Sequence, residues 1–444
     1  MTGRIVHLGV GNFHRAHQAW YTQRANETAG EGWRITGVSL RRPDVRDALR
    51  AQNYAYTLEI DDGSGPAYTT ITVIDRILVA PEDPGAVIAA IADPATAIVT
   101  LTVTEKGYTL DPATWRLRAD HPDVRADLEA SLPATAVGML VAGLAARLDA
   151  GAGGLTVLCC DNLPENGKVL RRAALDFAQM KSATLAGRIE ANFSFPSSMV
   201  DRITPATTDE LRARVAAMIG RKDAAPVATE GFSQWVIEDD FHGRRPAWET
   251  VGVELVSDVR PHELRKLRML NGAHSTLAYA GTLASHAYVH EAVADPKLRA
   301  LARGVMDEAA GTLPESVRAT APAYADGLIR RFENPGLHHA LIQIAMDGSQ
   351  KIPVRLLAPL KDRLRAGLPS PSMEAGIAAW AAFVWRQTRD GVALNDPLAD
   401  ALAGASRGRD RESAADSLLQ LEAVFGTFAR DFPESVERIR TAYR

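Results

Sequence analysis

Arg4-Ile-Val-His-Leu-Gly9-Val-Gly11-Asn12-Phe13-His14 decides the fold. The first five residues read as a short buried strand, the two glycines as a tight turn, and the residues through Ala16, Trp20 and Tyr21 as a helix. A strand, a Gly-x-Gly turn and a helix open a dinucleotide-binding fold, in which backbone N–H groups approach a pyrophosphate at the helix N-terminus. Gly9, Gly11, Asn12, Phe13 and His14 are therefore the candidate cofactor contacts. His14 stands where the fingerprint has its third glycine, so by pattern alone a plain glycine turn is the alternative.

Working outward, a second strand over Arg34–Leu40 runs into Arg41-Arg42-Pro43-Asp44. Asp44 suits the ribose hydroxyls of NAD, whereas Arg41 or Arg42 suits the 2′-phosphate of NADP. Alternating or apolar runs predict further strands over Tyr54–Ile60, Thr69–Ile74, Ala97–Val103 and Leu155–Cys160, with helices over Pro84–Ala92 and Ala136–Ala150. In open α/β sheets the ligand lies beyond the carboxyl ends of the strands. Glu105 and Lys106 follow one such end, near the nicotinamide or the substrate, with Glu105 a candidate cofactor contact and a plain strand exit the alternative; Asn162 follows another, with an Asn turn or helix cap the alternative. A helix from Gly167 to about Glu190 and an irregular stretch over Phe195–Pro205 come next. Strand-like stretches at Phe232–Asp239 and Val253–Ser257 close this part of the chain.

After Ser257 helical patterns take over, including Leu264–Tyr279, Leu337–Met346 and Met373–Arg386, with Pro353, Pro359, Pro369 and Pro371 marking turns. The expected class is α/β: a Rossmann-type N-terminal domain over 1–257 and a mostly α-helical C-terminal domain over 258–444. A small substrate is expected in a cleft between domains.

Lys266-Leu-Arg-Met-Leu-Asn271-Gly-Ala-His274 lies at that seam. On an α-helix, at about 100° per residue, Lys266, Asn271 and His274 fall within roughly 140° of arc. One face then offers a proton-transfer group, an amide donor for a developing oxyanion and an imidazole for a hydroxyl. From spacing alone, a solvated helix that happens to carry these residues is the alternative.

Composition narrows the class. Fifty Lys and Arg against 54 Asp and Glu leave a net charge of −4, which gives no electrostatic reason to expect nucleic acid or an anionic membrane. The two cysteines, Cys159 and Cys160, are neighbours in one strand and point to opposite faces, so no disulfide framework is expected. No apolar run reaches transmembrane length and no apolar signal region is seen, so the expectation is a cytoplasmic protein. His7, His14 and His17 lack companions for a zinc site.

Five stretches together carry a resemblance: Gly9-Val-Gly-Asn-Phe-His-Arg-Ala-His-Gln18, Thr104-Glu-Lys-Gly-Tyr108, Cys160-Asp-Asn162, Met199-Val-Asp-Arg-Ile-Thr-Pro205 and the Lys266–His274 run. In this order they resemble the mannitol dehydrogenase family of polyol-specific long-chain dehydrogenases, from about Ile5 to Lys351. The resemblance implies a metal-independent NAD(H) oxidoreductase, with a monomer as the default state. It implies Lys266 as general acid–base, Asn162 and Asn271 as amides on the carbonyl oxygen, and His274 and Lys351 as sugar-binding residues. Two positions depart from the mannitol pattern: Gln343 stands where an arginine is usual, and Lys106 where a glycine is usual. Both departures, with Gln343-Ile-Ala-Met-Asp-Gly-Ser-Gln-Lys-Ile-Pro353, resemble the uronate-reducing branch of the family, which interconverts D-fructuronate and D-mannonate. Gln343 and Lys106 are accordingly candidate substrate contacts, Lys106 as the extra cation for a carboxylate. Small keto-sugar acids or polyols are the implied partners, and a non-catalytic NAD-binding regulator is the reading from another class.

Overall fold

The structure, a computed structural model, describes residues 2–111 and 114–442, except for the side chains of Glu105, Lys106 and Leu337. It divides into two compact units, Met1–Arg260 and Pro261–Arg444.

Five strands of the first unit are labelled here in chain order: β1 (Arg4–Leu8), β2 (Arg34–Ser39), β3 (Ile74–Val79), β4 (Thr96–Leu101) and β5 (Thr156–Cys159). They form one parallel sheet in the spatial order β3-β2-β1-β4-β5. The order reverses between β1 and β4, so a crevice opens at their carboxyl ends, beside the Gly9–Gly11 turn. The strands are Val-, Ile- and Leu-rich and almost wholly buried because helices cover both faces. This is the expected Rossmann-type architecture. Two three-stranded sheets complete the unit: Pro66–Ile71, Tyr56–Asp61 and Val227–Glu230 in one, Glu254–Val256, Gln234–Glu238 and Ser198–Asp201 in the other.

Several local expectations are corrected. Thr69–Ile74 is not one strand. A hairpin strand ends at Ile71 and β3 begins at Ile74, because the chain leaves an antiparallel pairing with Tyr56–Asp61 for a parallel pairing with β2. The long helix after Gly167 is two helices, Asn166–Lys181 and Ala183–Asn192, since Ser182 is extended and caps the second by accepting from the Leu185 N–H. The stretch 195–205, expected to be irregular, contains the strand Ser198–Asp201, which pairs with Gln234–Glu238.

The second unit is helical. The helix Gly272–Leu283 is buried along most of its length and packs against Pro296–Ala310 and Pro371–Arg389 around Leu277, Met306, Ile377 and Trp380. Leu337–Met346 holds only the short helix Leu341–Ile344. Pro353 and Pro359 do not mark turns. They lie inside one continuous helical run made of Gly348–Ile352, a π-helical stretch Pro353–Leu357, and Ala358–Arg365. A proline has no N–H and crowds the carbonyl four residues earlier; the wider i→i+5 turn accommodates this without ending the helix. A second π-helical stretch spans Lys266–Asn271. Among the described residues no helix is long and apolar enough to cross a membrane.

The chain's last helix is pinned to this core by Glu374, which is 2% exposed. Its carboxylate accepts from Ser435 Oγ at 2.6 Å and Arg438 Nε at 3.0 Å. Glu374→Gln is expected to cost about 1–3 kcal/mol and to free the helix Pro433–Ala442 first. Calorimetry together with limited proteolysis checks this, and an unchanged melting temperature with an intact C-terminal helix would count against it.

Candidate functional site

In the first unit the turn after β1 is shaped by contact with β4. Gly9 has φ +99°, and a Cβ there would stand 2.1 Å from the Thr102 carbonyl oxygen, so only glycine fits. Gly11 differs: its φ is −85°, it is exposed, and the nearest atom to a Cβ would be Gly9 O at 3.9 Å. Nothing in the chain requires glycine at position 11, but a side chain would cover the backbone amides to which a pyrophosphate binds.

His7 holds this turn from below. Its Nδ1 lies 2.7 Å from Thr100 Oγ1 and its Nε2 lies 3.1 Å from Gly9 O. His14 stacks on it with ring centroids 3.4 Å apart. Burial pushes the His7 pKa down to about 3 and that of His14 well below the usual imidazole range, so both rings are neutral. His14 is 0% exposed; its ring supports the turn from within. Asn12 is likewise engaged, donating to Pro205 O at 3.2 Å and Thr207 Oγ1 at 3.1 Å. Phe13 stacks on His17. The Met199–Pro205 motif acquires a physical reason here: buried Arg202 donates to Ala16 O at 2.5 Å and to Glu230 O, clamping the end of the short helix Asn12–Ala16 that follows the turn.

Beyond β2, Asp44 and Arg42 form an exposed ion pair at 3.5 Å. Arg41 lines a cavity of about 290 Å³ with Leu40, Val103, Gly107 and Thr109, between the carboxyl ends of β2 and β4. Asn162 is exposed at the end of β5. Its loop is fixed by two neighbours that sequence reading passed over. Asp161 is buried and accepts from Val103 N and Thr104 N, each at 2.9 Å, and from Tyr108 Oη at 2.5 Å. Desolvation raises the Asp161 pKa against these hydrogen bonds. Asn166 donates to Asp161 O and Ser198 O and accepts from Ser198 N, each at 2.8 Å. The β4 and β5 loops are thus tied together. The Glu105 and Lys106 side chains lie outside the described residues.

In the second unit Lys266 and Asn271 are half-buried on the π-helical stretch, so the expected α-helical arc does not apply. With i→i+5 bonding, residues five apart stand about one turn apart on one face, which aligns Lys266 and Asn271 more closely than an α-helix would. His274, on the next helix, is 9% exposed, stacks on Phe332 at 4.5 Å and meets His339 edge-on at 5.2 Å. Its buried Nε2 has no hydrogen-bond partner. Burial first, then His339, Arg331 and Arg355, hold its pKa well below the usual range. Lys351 is half-buried and donates to Ile344 O at 3.2 Å. Burial, then Arg355, lowers its pKa.

The two π-helical stretches pack together. The Arg355 carbonyl is the atom nearest to a Cβ at Gly272, at 3.1 Å, and Arg355 Nη1 donates to Ser275 Oγ at 3.1 Å. Lys266, Asn271, His274 and Lys351 therefore belong to one packed region of this unit, whereas Gln343 is exposed on the short helix Leu341–Ile344. Arg331 and Arg355 were not singled out from sequence. The only signal for Arg355 was an isolated cation in an apolar helical pattern. Among the described residues no three His, Cys, Asp or Glu side chains stand together as a metal could require.

Comparison with known proteins shows the family. Residues 3–250 match the mannitol dehydrogenase Rossmann domain and residues 258–444 the mannitol dehydrogenase C-terminal domain. An uncharacterized Escherichia coli oxidoreductase, YeiQ, is 42% identical, covering 100% of this chain and 92% of its own. The Escherichia coli D-mannonate oxidoreductase is 40% identical over 98% of this chain and 91% of its own. The Pseudomonas fluorescens mannitol 2-dehydrogenase, solved as a ternary complex with NAD and D-mannitol, is 37% identical, with a TM-score of 0.83 over 100% of this chain and 91% of its own. The chain belongs to the mannitol dehydrogenase family and is an oxidoreductase.

The buried histidines carry a pH consequence. His7 titrates at about 3 when folded against 6.5 as its ordinary value, so on acidification the unfolded chain takes up the proton first. The stabilisation is complete above about pH 6.5 and is lost as the pH falls towards 3. Between pH 7.5 and pH 5, wild type should lose roughly 2 kcal/mol more stability than His7→Gln in urea titrations. Parallel losses in the two proteins would show that His7 is not the group responsible.

Proposed function

We propose that the protein interconverts a keto-sugar acid and its hydroxy acid, D-fructuronate and D-mannonate, with NAD(H). The observation that carries this reading is half-buried Lys351, which among the described residues forms no ion pair, in the same packed region as His274, whose buried Nε2 has no hydrogen-bond partner. A half-buried cation without an ion-pair partner suits a substrate that carries a carboxylate. The 40% identity to a D-mannonate oxidoreductase supports the same substrate class.

NAD suits the Gly9–Gly11 turn with the helix start at Asn12 and the cavity beside Arg41, with Asp44 for the ribose; when bound it would supply or accept the hydride at the substrate carbon. The chain's own residues handle the oxygen and the proton. In reduction, the Lys266 ammonium gives its proton to the carbonyl oxygen. In oxidation, its free amine takes the proton from the alcohol. Asn162 and Asn271 donate amide N–H groups to that oxygen as it gains negative charge, which is worth most where water is excluded. His274 holds a substrate hydroxyl and Lys351 the acid end, Lys106 is a further cation for the carboxylate, Gln343 a further substrate contact, and Glu105 a cofactor contact. A polyol reading, with D-mannitol and D-fructose, is favoured by the likeness to the mannitol 2-dehydrogenase.

NADH consumption by the purified protein with D-fructuronate and D-fructose, run side by side, tests this. The expected result is a kcat/KM at least tenfold higher for the uronate; a preference for D-fructose establishes the polyol reading instead. Lys266→Ala is expected to cut kcat by about 10²–10⁴ while NADH still quenches protein fluorescence. Near-normal turnover in that variant would remove Lys266 from its role.

A further inference from the structure

We infer that Arg355, on the second π-helical stretch, recognises the substrate's carboxylate together with Lys351. The inference rests on the keto-sugar acid reading and adds a specificity-determining residue to it.

Lys351 and Arg355 are four residues apart on one helical run, a spacing that brings like charges together and is unfavourable by itself. Both are removed from bulk water: burial is the first cause that lowers the pKa of each, and for Lys351 the Arg355 charge is the second. Among the described residues neither forms an ion pair. Lys351 donates to the Ile344 carbonyl and Arg355 to the Ser275 hydroxyl. Asp396, one nearby carboxylate, is already engaged by Ser349 N at 2.8 Å, Ser349 Oγ at 2.5 Å and Leu398 N at 2.9 Å. Asp347 acts on both cations only beyond ion-pair distance. A partly desolvated pair of like charges on which Asp347 and Asp396 act only from beyond contact distance is costly to maintain, and an anion that binds in contact lowers the cost.

Position supplies the second argument. The Arg355–Ser275 hydrogen bond places the guanidinium beside the residue that follows His274. Ser275 is 0% exposed, which fixes the side chain. A guanidinium has five N–H donors in a planar fork, and one bond to Ser275 leaves the edge needed for two parallel hydrogen bonds to a carboxylate. Lysine lacks that fork, so Lys351 alone would attract an anion without fixing its plane. A sugar acid held by Arg355 and Lys351 at its carboxylate and by His274 at a hydroxyl is gripped at two points, and this orients its ketone.

The test is steady-state reduction of D-fructuronate and D-fructose by wild type, Arg355→Met and Arg355→Lys, with melting temperatures as the check on folding. Wild type inactive on D-fructuronate overturns the keto-sugar acid reading and this inference with it. With an active wild type, Arg355→Met is expected to raise the KM for D-fructuronate about 10- to 100-fold and to lower the uronate-to-ketose ratio of kcat/KM by at least tenfold. Arg355→Lys should recover part of that ratio. Equal losses on both substrates, or an unchanged KM for D-fructuronate, would show that Arg355 serves packing through Ser275 and overturn the inference. If Arg355→Met does not fold, the Arg355→Lys ratio decides: a value equal to that of wild type overturns it.

Discussion

Two prolines inside one helical run govern the second unit. Pro359 has no N–H to offer the carbonyl of Arg355 four residues before it, and Pro353 withholds one from Ser349 in the same way. The run survives by widening into a π-helical stretch over Pro353–Leu357. The Arg355 carbonyl oxygen then lies 3.1 Å from where a Cβ on Gly272 would stand, a tight contact. Glycine at 272 lets the two π-helical stretches meet, and that meeting brings Lys351 and Arg355 to the helix carrying Lys266, Asn271 and His274. π-Helical turns cost hydrogen-bond geometry and cluster at functional sites. Here both fall on the residues to which chemistry is assigned.

The first unit solves a similar problem of close approach with different means. The Gly9 backbone passes so near Thr102 that no Cβ fits, and the turn is held by a neutral histidine stack instead of charges. Neutral rings suit a place where a pyrophosphate must be attracted by backbone amides alone, since the amides are fixed and need no counter-ion of their own. Asp161 does equivalent work at the other side of the crevice. Three donors satisfy its buried carboxyl group, and two of them belong to the start of the loop after β4, so the loops on either side of the sheet's ligand end keep one geometry.

The alternation of strand and helix signals, and the switch to helical periodicity after Ser257, made the architecture legible in the sequence. The Gly9–Gly11 turn could be read because its chemistry is local. What failed were features set by tertiary pairing. β3 was hidden because Ile71 and Ile74 look like one apolar run, and only the change of partner from Tyr56–Asp61 to β2 separates them. The helical run through Pro353 and Pro359 was hidden because proline ordinarily ends a helix, and a π turn leaves no mark in composition. Lys266, Asn271, His274 and Lys351 could be listed from motif. The roles of Asp161, Asn166 and Arg202 could not, because each acts through a carbonyl or amide distant in sequence.

The same reasoning explains why Arg355 escaped notice while Lys351 did not. A cation on an apolar helix face normally finds a carboxylate when the chain folds, and sequence cannot tell whether it will. The folded second unit holds its nearby acids short of contact: Asp396 caps Ser349 and Leu398, and it and Asp347 act on Lys351 only from beyond ion-pair distance. The excess positive charge is thus a product of how the acids are spent, not of how many there are. With a net charge of −4 over the chain, a half-buried pocket of cations can exist only if packing keeps the surplus carboxylates away. A protein gains nothing in stability from that separation, because unpaired buried charges and the lone Nε2 of His274 each oppose folding. An incomplete set of partners in the free protein is what an anionic, hydroxylated substrate would complete.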